Sequence, residues 1–203
     1  MTASSHTKAF YGLDWMTSRH PTIRRLKRQS RTSLHGNKTW SASLVLADYL
    51  EQHPLTAGTR VLELGCGWGL AGLYCASRGC EVTALDADDS VFPFLAAQAS
   101  HNDLQVSTLT QDFSSLTEAQ FEGVDVLLGS DICFWDDMAA DLYDCINRAL
   151  EAGVQKVLIS DPNRPPFLDV ADALIESQFA ELFPWQSSLS SRYRGSILLI
   201  ENA

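Results

Sequence analysis

The sequence predicts an α/β fold in which a parallel sheet carries helices on both faces. From Trp40 onward, short continuous apolar segments of strand length alternate with longer segments that have helical periodicity. Glycine or proline stands at several of the boundaries between them. With 203 residues, 45% of them hydrophobic, the chain is large enough to bury one good core. These observations together favour a single globular domain of this class.

The elements can be assigned in chain order. The first helix is expected over 41–53, with Ser41 as its N-cap and Pro54 just beyond its end. Strand 60–64 and helix 69–79 follow, the helix being closed by Gly79. The remaining predicted elements are strand 81–85, helix 89–102, strand 106–110, strand 124–130, helix 137–153, strand 156–160, helix 167–178, an irregular strand near 179–185 and strand 196–202.

The charge is divided unevenly along the chain. The net charge is −10, but residues 1–40 hold eight of the fifteen Lys and Arg residues and one acid, so that this part is +7 and the rest −17. We expect a basic N-terminal arm over 1–38 and the main domain over 39–203. Ile23 and Leu26 stand at helical spacing within the arm, which predicts a short amphipathic helix packed on the acidic body. An Arg- and Ser-rich organelle transit segment is the alternative.

The cysteines and the hydropathy limit the class of protein. Five cysteines form an odd set without a CxxC pair, which argues against a disulfide framework and against a zinc site. We therefore expect no metal and mostly buried, reduced thiols. No stretch reaches the roughly 18 uninterrupted apolar residues of a membrane span, and the N-terminal residues lack a signal-peptide core. The prediction is a soluble, cytoplasmic protein that does not bind membranes.

Unusual residues follow the predicted strands. In an open parallel sheet the ligand binds at the carboxyl ends of the strands, near the point where the winding reverses. Residues expected at this edge are Glu63 with Gly65 to Gly69, then Asp86, then Asp112 with Phe113, then Ser130 with Asp131, and finally Asp161 to Phe167. One edge of the sheet should therefore carry the chemistry.

The glycine-rich stretch after the first strand can be interpreted in two ways. Gly67, Gly69 and Gly72 form GxGxxG, which is close to a dinucleotide fingerprint and would indicate an NAD-dependent oxidoreductase. That interpretation places the Glu63 carboxylate close to a pyrophosphate, where like charges repel. The pattern Glu63-x-Gly65-x-Gly67-x-Gly69 instead suits a ligand that has a positive group and no phosphate. S-adenosylmethionine is such a ligand, and Glu63 could hold its amine directly or through water.

Two acids further along the chain suit the same ligand. Asp86 follows the glycines by about 20 residues, the spacing at which a carboxylate reaches ribose hydroxyls. Asp112 and Phe113 place a carboxylate beside a ring, which suits the amino group and the flat face of adenine. The alternatives are a helix N-cap for Asp86 and a turn acid for Asp112.

Four motifs together resemble a known family. "LELGCGWGLAGL", "ALDAD", "QDF" and "SDICFW" resemble the class I, or seven-β-strand, S-adenosylmethionine-dependent methyltransferases, over roughly Thr39 to the C-terminus. Within that class the chain is most similar to the lysine methyltransferase-like group, which has a Trp before the first helix (Trp40) and an acid-x-x-aromatic motif (Asp131 to Phe134). "SDPNRPPF" resembles an element of the methyltransferases that act on the β-subunit of electron transfer flavoprotein.

The resemblance implies a Rossmann-like, mostly parallel sheet of seven strands with the last strand antiparallel. It also implies S-adenosylmethionine as cofactor. The candidate cofactor-binding residues are then Trp40, Glu63, Gly65, Gly67, Asp86, Asp112, Phe113 and Ser130.

Methyl transfer requires an oriented, uncharged nucleophile and a site that excludes water. Asp131 and Phe134 are the candidate catalytic residues: Asp131 could bind a substrate ammonium, and Phe134 with Trp135 and Phe167 could form an apolar channel. Plain hydrophobic packing is the alternative for "CFW". The loop "DPNRPPF", with Asp161, Asn163 and Arg164, is either a rim that faces the substrate or a helix entry at Pro165 and Pro166.

The sequence therefore favours an N-methyltransferase that acts on lysine in a basic segment of a protein. Other acceptors stay open: a small-molecule amine, or a nucleic acid, which is less favoured because the signature of base amino-group methyltransferases is absent after the fourth strand. Two other classes also stay open, an NAD-dependent oxidoreductase and a catalytically silent methyltransferase fold that serves as a binding module.

Overall fold

The computed structural model describes residues 6–29, 36 and 38–202. Within these ranges the strands are β1 Thr7–Phe10, β2 Leu13–Met16, β3 Arg60–Leu64, β4 Glu81–Asp86, β5 Ser107–Thr110, β6 Val126–Ser130, β7 Lys156–Asp161, β8 Glu181–Gln186 and β9 Arg194–Glu201. The α-helices are α1 Pro21–Gln29, α2 Ser41–Gln52, α3 Leu70–Ser77, α4 Phe92–His101, α5 Glu118–Phe121, α6 Asp136–Glu151 and α7 Pro165–Gln178. No helix in the part of the chain described is both long and apolar enough to cross a membrane.

Seven strands form the main sheet, in the order β5-β4-β3-β6-β7-β9-β8. Strands β3 to β7 pair in parallel, and β9 runs antiparallel to both of its neighbours. The predicted fold class, with its reversed last strand, is therefore confirmed. Strands β3 and β6 lie side by side, and the chain winds away from them in opposite directions. Their carboxyl ends therefore border the crevice in which such sheets bind ligands.

The sheet is buried on both faces, which explains its continuous apolar strands. Along β6, Val126 and Leu128 pack with α2, α3 and α4, whereas Leu127 packs with α6 and α7 on the opposite face. All five cysteines are buried and unbridged, as the sequence predicts.

The predicted N-cap Ser41 is wrong by one position. Trp40 is the N-cap of α2, with extended backbone angles, and its carbonyl accepts a hydrogen bond from Ser43 Oγ at 2.7 Å.

The N-terminal arm contains a hairpin that the sequence analysis did not predict. Strands β1 and β2 are joined by Tyr11 and Gly12, whose φ angles of 47° and 90° define a two-residue turn of the primed type. The turn could not be recognised from the sequence, because Asn, Asp or Gly usually occupies the position that the tyrosine holds here. The predicted arm helix is present as α1, with Ile23 fully buried and α4 packed against it. Arm residues 1–5, 30–35 and 37 lie outside the described residues.

One buried carboxylate on α2 connects the two ends of the described chain. Asp48 is 1% exposed and accepts hydrogen bonds from Tyr11 in the first hairpin, from Trp185 Nε1 at 2.8 Å, and from the backbone and side chain of Ser188 at 2.7 Å each. Burial by itself would raise the pKa of Asp48, but the hydrogen bonds outweigh it and lower the pKa to about 2. Asp48 therefore contributes to stability as an ionised group.

Removal of this carboxylate should destabilise the fold. Asp48→Ala is expected to lower the free energy of unfolding at pH 7 by about 2–4 kcal/mol, because several buried donors lose their acceptor. The folded-state pKa lies below the unfolded value, so this contribution is present at neutral pH and is lost as the pH falls from about 4 towards 2. Urea unfolding at pH 7 and pH 3 measures both effects.

Glu201→Ala is the matched control, because it removes an acid from an exposed ion pair with Lys156 (2.8 Å). It should cost less than about 1 kcal/mol. Equal losses for the two variants would contradict the role assigned to Asp48.

Candidate active site

A cavity of about 200 Å³ opens at the carboxyl edge of the sheet, beside the ends of β3 and β6. The lining includes the glycine turn after β3 and the ends of β4, β5 and β6. The segment before and at the start of α2 also contributes, through Gly36, Lys38, Thr39, Trp40 and Ser43. The candidate residues that line it are Trp40, Gly65, Gly67, Asp86, Asp112, Phe113, Ser130, Asp131 and Phe134. Glu63 is the candidate that is absent from the lining. The topology thus brings together side chains that are up to 94 positions apart in the sequence.

Three glycines in the left-handed region shape the turn between β3 and α3. Gly65, Gly67 and Gly69 have φ angles of 57°, 53° and 76°, which glycine adopts without steric cost. A Cβ on Gly65 or Gly69 would collide with Ile132 or Leu95, respectively. A Cβ on Gly67 would meet nothing within 4 Å. Gly67 is therefore the position at which bare backbone faces the cavity and a ligand can approach closely.

Glu63 lies behind this turn. Its side chain is fully buried, and Oε2 accepts a hydrogen bond from the backbone N–H of Gly72 at 3.1 Å. Burial raises the pKa of Glu63 to about 8, and the bond from Gly72 offsets only part of this effect. The observed role of the carboxylate is to hold the first turn of α3 against β3. The predicted contact between Glu63 and the amine of the cofactor stays a prediction.

Asp86 connects the turn after β3 to the turn after β4. Its Oδ2 accepts from the backbone N–H of Gly67 at 2.9 Å, and Oδ1 accepts from that of Asp88 at 3.0 Å. Burial raises the pKa of Asp86. The N-cap of the 3₁₀ turn that follows is Asp88, which accepts from the backbone of Ser90, so the N-cap alternative for Asp86 is wrong. Asp86 lines the cavity at the position predicted for a ribose-binding acid.

Asp112 and Phe113 lie together at the end of β5. Asp112 Oδ1 accepts from the backbone N–H of Ser114 at 2.9 Å and caps a short 3₁₀ turn, so the turn-acid interpretation is correct. Asp112 also lines the cavity, and the buried ring of Phe113 forms the wall beside it. The two interpretations of Asp112 are therefore compatible.

Asp131 follows β6 in an uncommon backbone conformation. Its φ angle is 56°, and its N–H donates to the carbonyl of Ser160 on β7 at 2.9 Å. Only 2% of its side chain is exposed, and Oδ1 accepts from Nε and Nη2 of Arg164, each at 2.7 Å. Asp131 is therefore a buried carboxylate that reaches the cavity with an arginine as its counter-ion.

Arg164 gives both interpretations of the "DPNRPPF" loop some support. It is the N-cap residue of α7, and Pro165 and Pro166 occupy the first turn, as in a helix entry. Its guanidinium also lies 4.7 Å from the ring centre of Phe134, a cavity-lining residue. The ion pair with Asp131 was not predicted from the sequence, because nothing in the spacing indicates that two loops 33 residues apart meet.

Asp161 is a second buried acid that contacts Arg164. It is 1% exposed, and Oδ1 accepts from the backbone N–H of Arg164 at 2.6 Å, while Oδ2 has no partner among the described residues. Burial, more than any other cause, raises the pKa of Asp161 to about 7. The buried Asp161 therefore does not face a substrate, whereas Asn163 is exposed and Arg164 is partly exposed. The substrate-facing rim stays a prediction for these two residues.

Aromatic rings border the cavity beside Asp131. The rings of Trp40 and Phe134 lie 5.5 Å apart, and Trp135 lines the mouth with 63% of its surface exposed. Packing alone therefore does not account for Trp135. Phe167 is fully buried in the core and lies outside the cavity lining, so the prediction that it walls the channel is wrong.

Gly36, Lys38 and Thr39, called the strap before α2 below, were not predicted to contribute to the cavity. The carbonyl of Gly36 accepts from Trp68 Nε1 at 3.0 Å, and Gly36, Lys38 and Thr39 line the cavity. The predicted boundary at residue 39 placed Gly36 and Lys38 in the basic arm, outside the main domain. The position of the strap next to the motif tryptophan, Trp40, was the available signal.

The fold is shared with known methyltransferases. A putative class I S-adenosylmethionine-dependent methyltransferase from Listeria monocytogenes matches with a TM-score of 0.60 and 15% identity, over 87% of this chain and 64% of the other. The sheet order, the reversed last strand and the cavity at the switch point show that the chain has the fold of the class I methyltransferases. This fold supports S-adenosylmethionine as the cofactor over the NAD of the oxidoreductase alternative.

The family follows from the sequence. The family model described as "Lysine methyltransferase" matches residues 20–178, and the chain belongs to this family. Similar proteins are the protein N-lysine methyltransferase METTL21A of Danio rerio (33% identity over 60% of this chain and 58% of that protein) and the electron transfer flavoprotein β-subunit lysine methyltransferase of Danio rerio (30%, 64% and 50%). A histidine protein methyltransferase 1 homologue of Dictyostelium discoideum also matches (29%, 62% and 42%). The chain spans about half the length of these curated relatives.

Gly67→Val should weaken the binding of S-adenosylhomocysteine at least tenfold, because its side chain would enter the cavity where the backbone is now bare. Isothermal titration calorimetry measures the affinity. Gly58→Val is the control: Gly58 has a φ angle of 86°, its Cβ would also meet nothing within 4 Å, and it lies outside the cavity lining. Both variants should lose similar stability, about 1–2 kcal/mol. Unchanged affinity in a folded Gly67→Val protein would contradict the placement.

Glu63→Gln should change the pH dependence of stability. Folding raises the pKa of Glu63 to about 8, so between about pH 4.5 and pH 8 the folded state holds a proton that the unfolded state has lost. The free energy of unfolding of the wild type therefore falls as the pH rises from about 4.5 to 8. A glutamine can still accept from Gly72 but does not titrate. The melting temperature of the variant relative to wild type should therefore rise between pH 5 and pH 8. A constant difference between the two proteins would refute this assignment.

Proposed function

We propose that this protein transfers a methyl group from S-adenosylmethionine to the side-chain amine of a lysine in a protein substrate. Membership of the lysine methyltransferase family supports the reaction class. The observation that carries the choice of acceptor is the pair Asp131 and Phe134, a buried carboxylate and a ring at the edge of the cofactor cavity.

The glycine turn and the strand-end acids fit the cofactor. Gly67 offers bare backbone, and Asp86 and Asp112 offer acceptors for hydroxyl and amino hydrogens, with the ring of Phe113 beside them. We propose that Trp40 and Ser130 complete this site. When bound, S-adenosylmethionine supplies an electrophilic methyl group on sulfur.

Asp131 and Arg164 would act together on the acceptor amine. A lysine amine has a reference pKa near 10.4 and must lose a proton before it can attack. The Asp131 carboxylate attracts the incoming ammonium. Both contacts from Arg164 are made to Oδ1, and we assign the acceptor contact to Oδ2. The nearby guanidinium charge favours the neutral form of the amine. The carboxylate therefore orients the lysine, and the guanidinium offsets part of the carboxylate's preference for the charged ammonium. The amine proton would be released to solvent before attack, and the rings of Trp40 and Phe134 would then shield the reacting atoms from water.

Acidic residues beside the mouth support a basic substrate segment. The exposed acids at the start and along the outer side of α6 are Asp136, Asp137, Asp141 and Asp144. They follow Trp135 directly, so a peptide whose lysine enters the cavity would pass over a negatively charged helix. A nucleic acid would be repelled there.

We propose the cytoplasm as the site of this reaction, because five buried, unbridged thiols suit a reducing compartment. We also propose that the functional unit begins before residue 39. The family match starts at residue 20, and Gly36 and Lys38 line the cavity. The arm would then be part of the enzyme.

Incubation with tritiated S-adenosylmethionine and a cell lysate, followed by mass spectrometry of the labelled protein, tests the proposal. Label on a lysine side chain supports it. Label on a histidine, on a nucleic acid or on a small amine would replace the proposed acceptor, and an absence of label would favour a silent binding module.

Variants of Asp131 test the mechanism. Asp131→Ala should retain S-adenosylhomocysteine binding within about threefold, because the residue serves the acceptor rather than the cofactor. Its kcat/KM should fall by tens to thousands of fold, the equivalent of about 2–5 kcal/mol for a lost buried charge contact. Asp131→Asn should lose somewhat less. Titration calorimetry and single-turnover assays on the acceptor identified by labelling provide the two quantities.

Asp136→Ala is the matched control, since this exposed acid lies outside the cavity lining. It should raise KM only modestly. Full turnover by Asp131→Ala would remove this residue from the mechanism, and a collapse of cofactor binding would assign it to the cofactor instead.

A further inference from the structure

The charges that line the cavity are unequal in number. Asp86, Asp112 and Asp131 contribute three carboxylates, and Lys38 is the one basic side chain among the described residues of the lining. The remainder of the lining is uncharged and consists of apolar groups, hydroxyls, the Cys66 thiol, the Gln111 amide and backbone. The position of this single cation therefore bears directly on how a charged ligand is oriented.

S-adenosylmethionine carries groups of both signs. Its sulfonium, its ammonium and the hydrogens of its ribose and adenine all suit carboxylate partners. Its own α-carboxylate does not, because two carboxylates in one partly desolvated cavity repel each other. The three acids of the cavity therefore exclude the carboxylate from their neighbourhood, and this group needs a positive partner elsewhere in the cavity.

Lys38 lies in a segment that is fixed on both sides. Two residues earlier, the carbonyl of Gly36 accepts from the indole of Trp68 in the glycine turn. In the next residue, Thr39 Oγ1 accepts from Trp15 Nε1 of β2 at 3.1 Å. The Lys38 Nζ atom lies 3.8 Å from the ring centre of Trp40. The ammonium therefore lies over the Trp40 ring, at the start of α2, and Lys38 shares the cavity lining with the glycine turn.

The ammonium of Lys38 is available for a ligand. Its side chain is exposed, and among the described residues no acid forms an ion pair with it. It lies over the π face of Trp40, which attracts a cation without neutralising it. A carboxylate that enters the cavity beside the glycine turn can therefore bind Nζ while the lysine stem stays on the ring.

We infer that Lys38 is the counter-charge for the α-carboxylate of S-adenosylmethionine. The lysine binds the methionine end of the cofactor, and the acids at the ends of β4 and β5 bind the nucleoside end. The two ends of the cofactor are thus distinguished by charge as well as by shape. This inference depends on the cofactor and is independent of the proposed acceptor, so the two can fail separately.

The test compares two ligands that differ only in this carboxylate: S-adenosylmethionine and decarboxylated S-adenosylmethionine. Their affinities are measured by titration calorimetry on the full chain, without acceptor. Lys38→Met should weaken S-adenosylmethionine binding by roughly tenfold, the effect of one charge-assisted hydrogen bond at a partly exposed site. It should leave the affinity for the decarboxylated ligand unchanged. Lys38→Arg should retain most of the wild-type discrimination.

Lys8→Met is the matched control. Lys8 lines a neighbouring cavity that shares Lys38 and Trp40 in its wall, but it does not line the cofactor cavity. It should change neither affinity. Equal losses for both ligands in Lys38→Met would show that the lysine acts only by holding Trp40, and unchanged binding of S-adenosylmethionine would show that other groups hold the carboxylate. Either result would overturn the inference. Melting temperatures of all three variants verify that they fold.

Discussion

The reversal of winding between β3 and β6 is the constraint on which the site depends. These strands pair directly, yet the chain leaves them towards opposite edges of the sheet, so no connection covers the space above their carboxyl ends. The glycine turn occupies one side of this space and Asp131 the other. Cofactor and acceptor residues can therefore face each other across a gap that the backbone topology keeps open.

Several polar residues of the site also have structural roles. Asp86 joins two turns, Asp112 caps a third, and Glu63 holds the first turn of α3. Each carboxylate satisfies backbone N–H groups that would otherwise be left without partners at the ends of strands and helices. Loss of such a residue would disturb the shape of the cavity as well as its chemistry. Affinity and stability must therefore be measured on the same variant.

The sheet and the cofactor edge could be predicted from the sequence because both depend on local patterns. Continuous apolar strands such as 60–64 reveal burial on both faces, and acids or glycines at their ends reveal the binding edge. Contacts between distant loops could not be predicted in this way. The ion pair of Arg164 with Asp131 and the approach of Lys38 to the cavity depend on how α7 and the strap before α2 are placed by the finished fold. Glu63 was predicted at the binding edge because it lies near a strand end. The sequence pattern cannot reveal that its carboxylate instead accepts a hydrogen bond from the α3 backbone.

The hydrogen bonds around Asp48 have a consequence for the order in which the molecule assembles. Asp48 and Ser188 are 140 residues apart in sequence, and Tyr11 comes from the hairpin at the other end of the described chain. Contacts of such long range close late, after the intervening strands have paired. During synthesis, Asp48 and the hairpin leave the ribosome long before the serine partners of Asp48 do. The hydrogen bonds of Asp48 to these serines can therefore form only after most of the chain has been made. Gly36, Lys38 and Thr39, which lie between the hairpin and α2 and line the cavity, would therefore be among the last to reach their final positions, and cofactor binding should appear only late in folding.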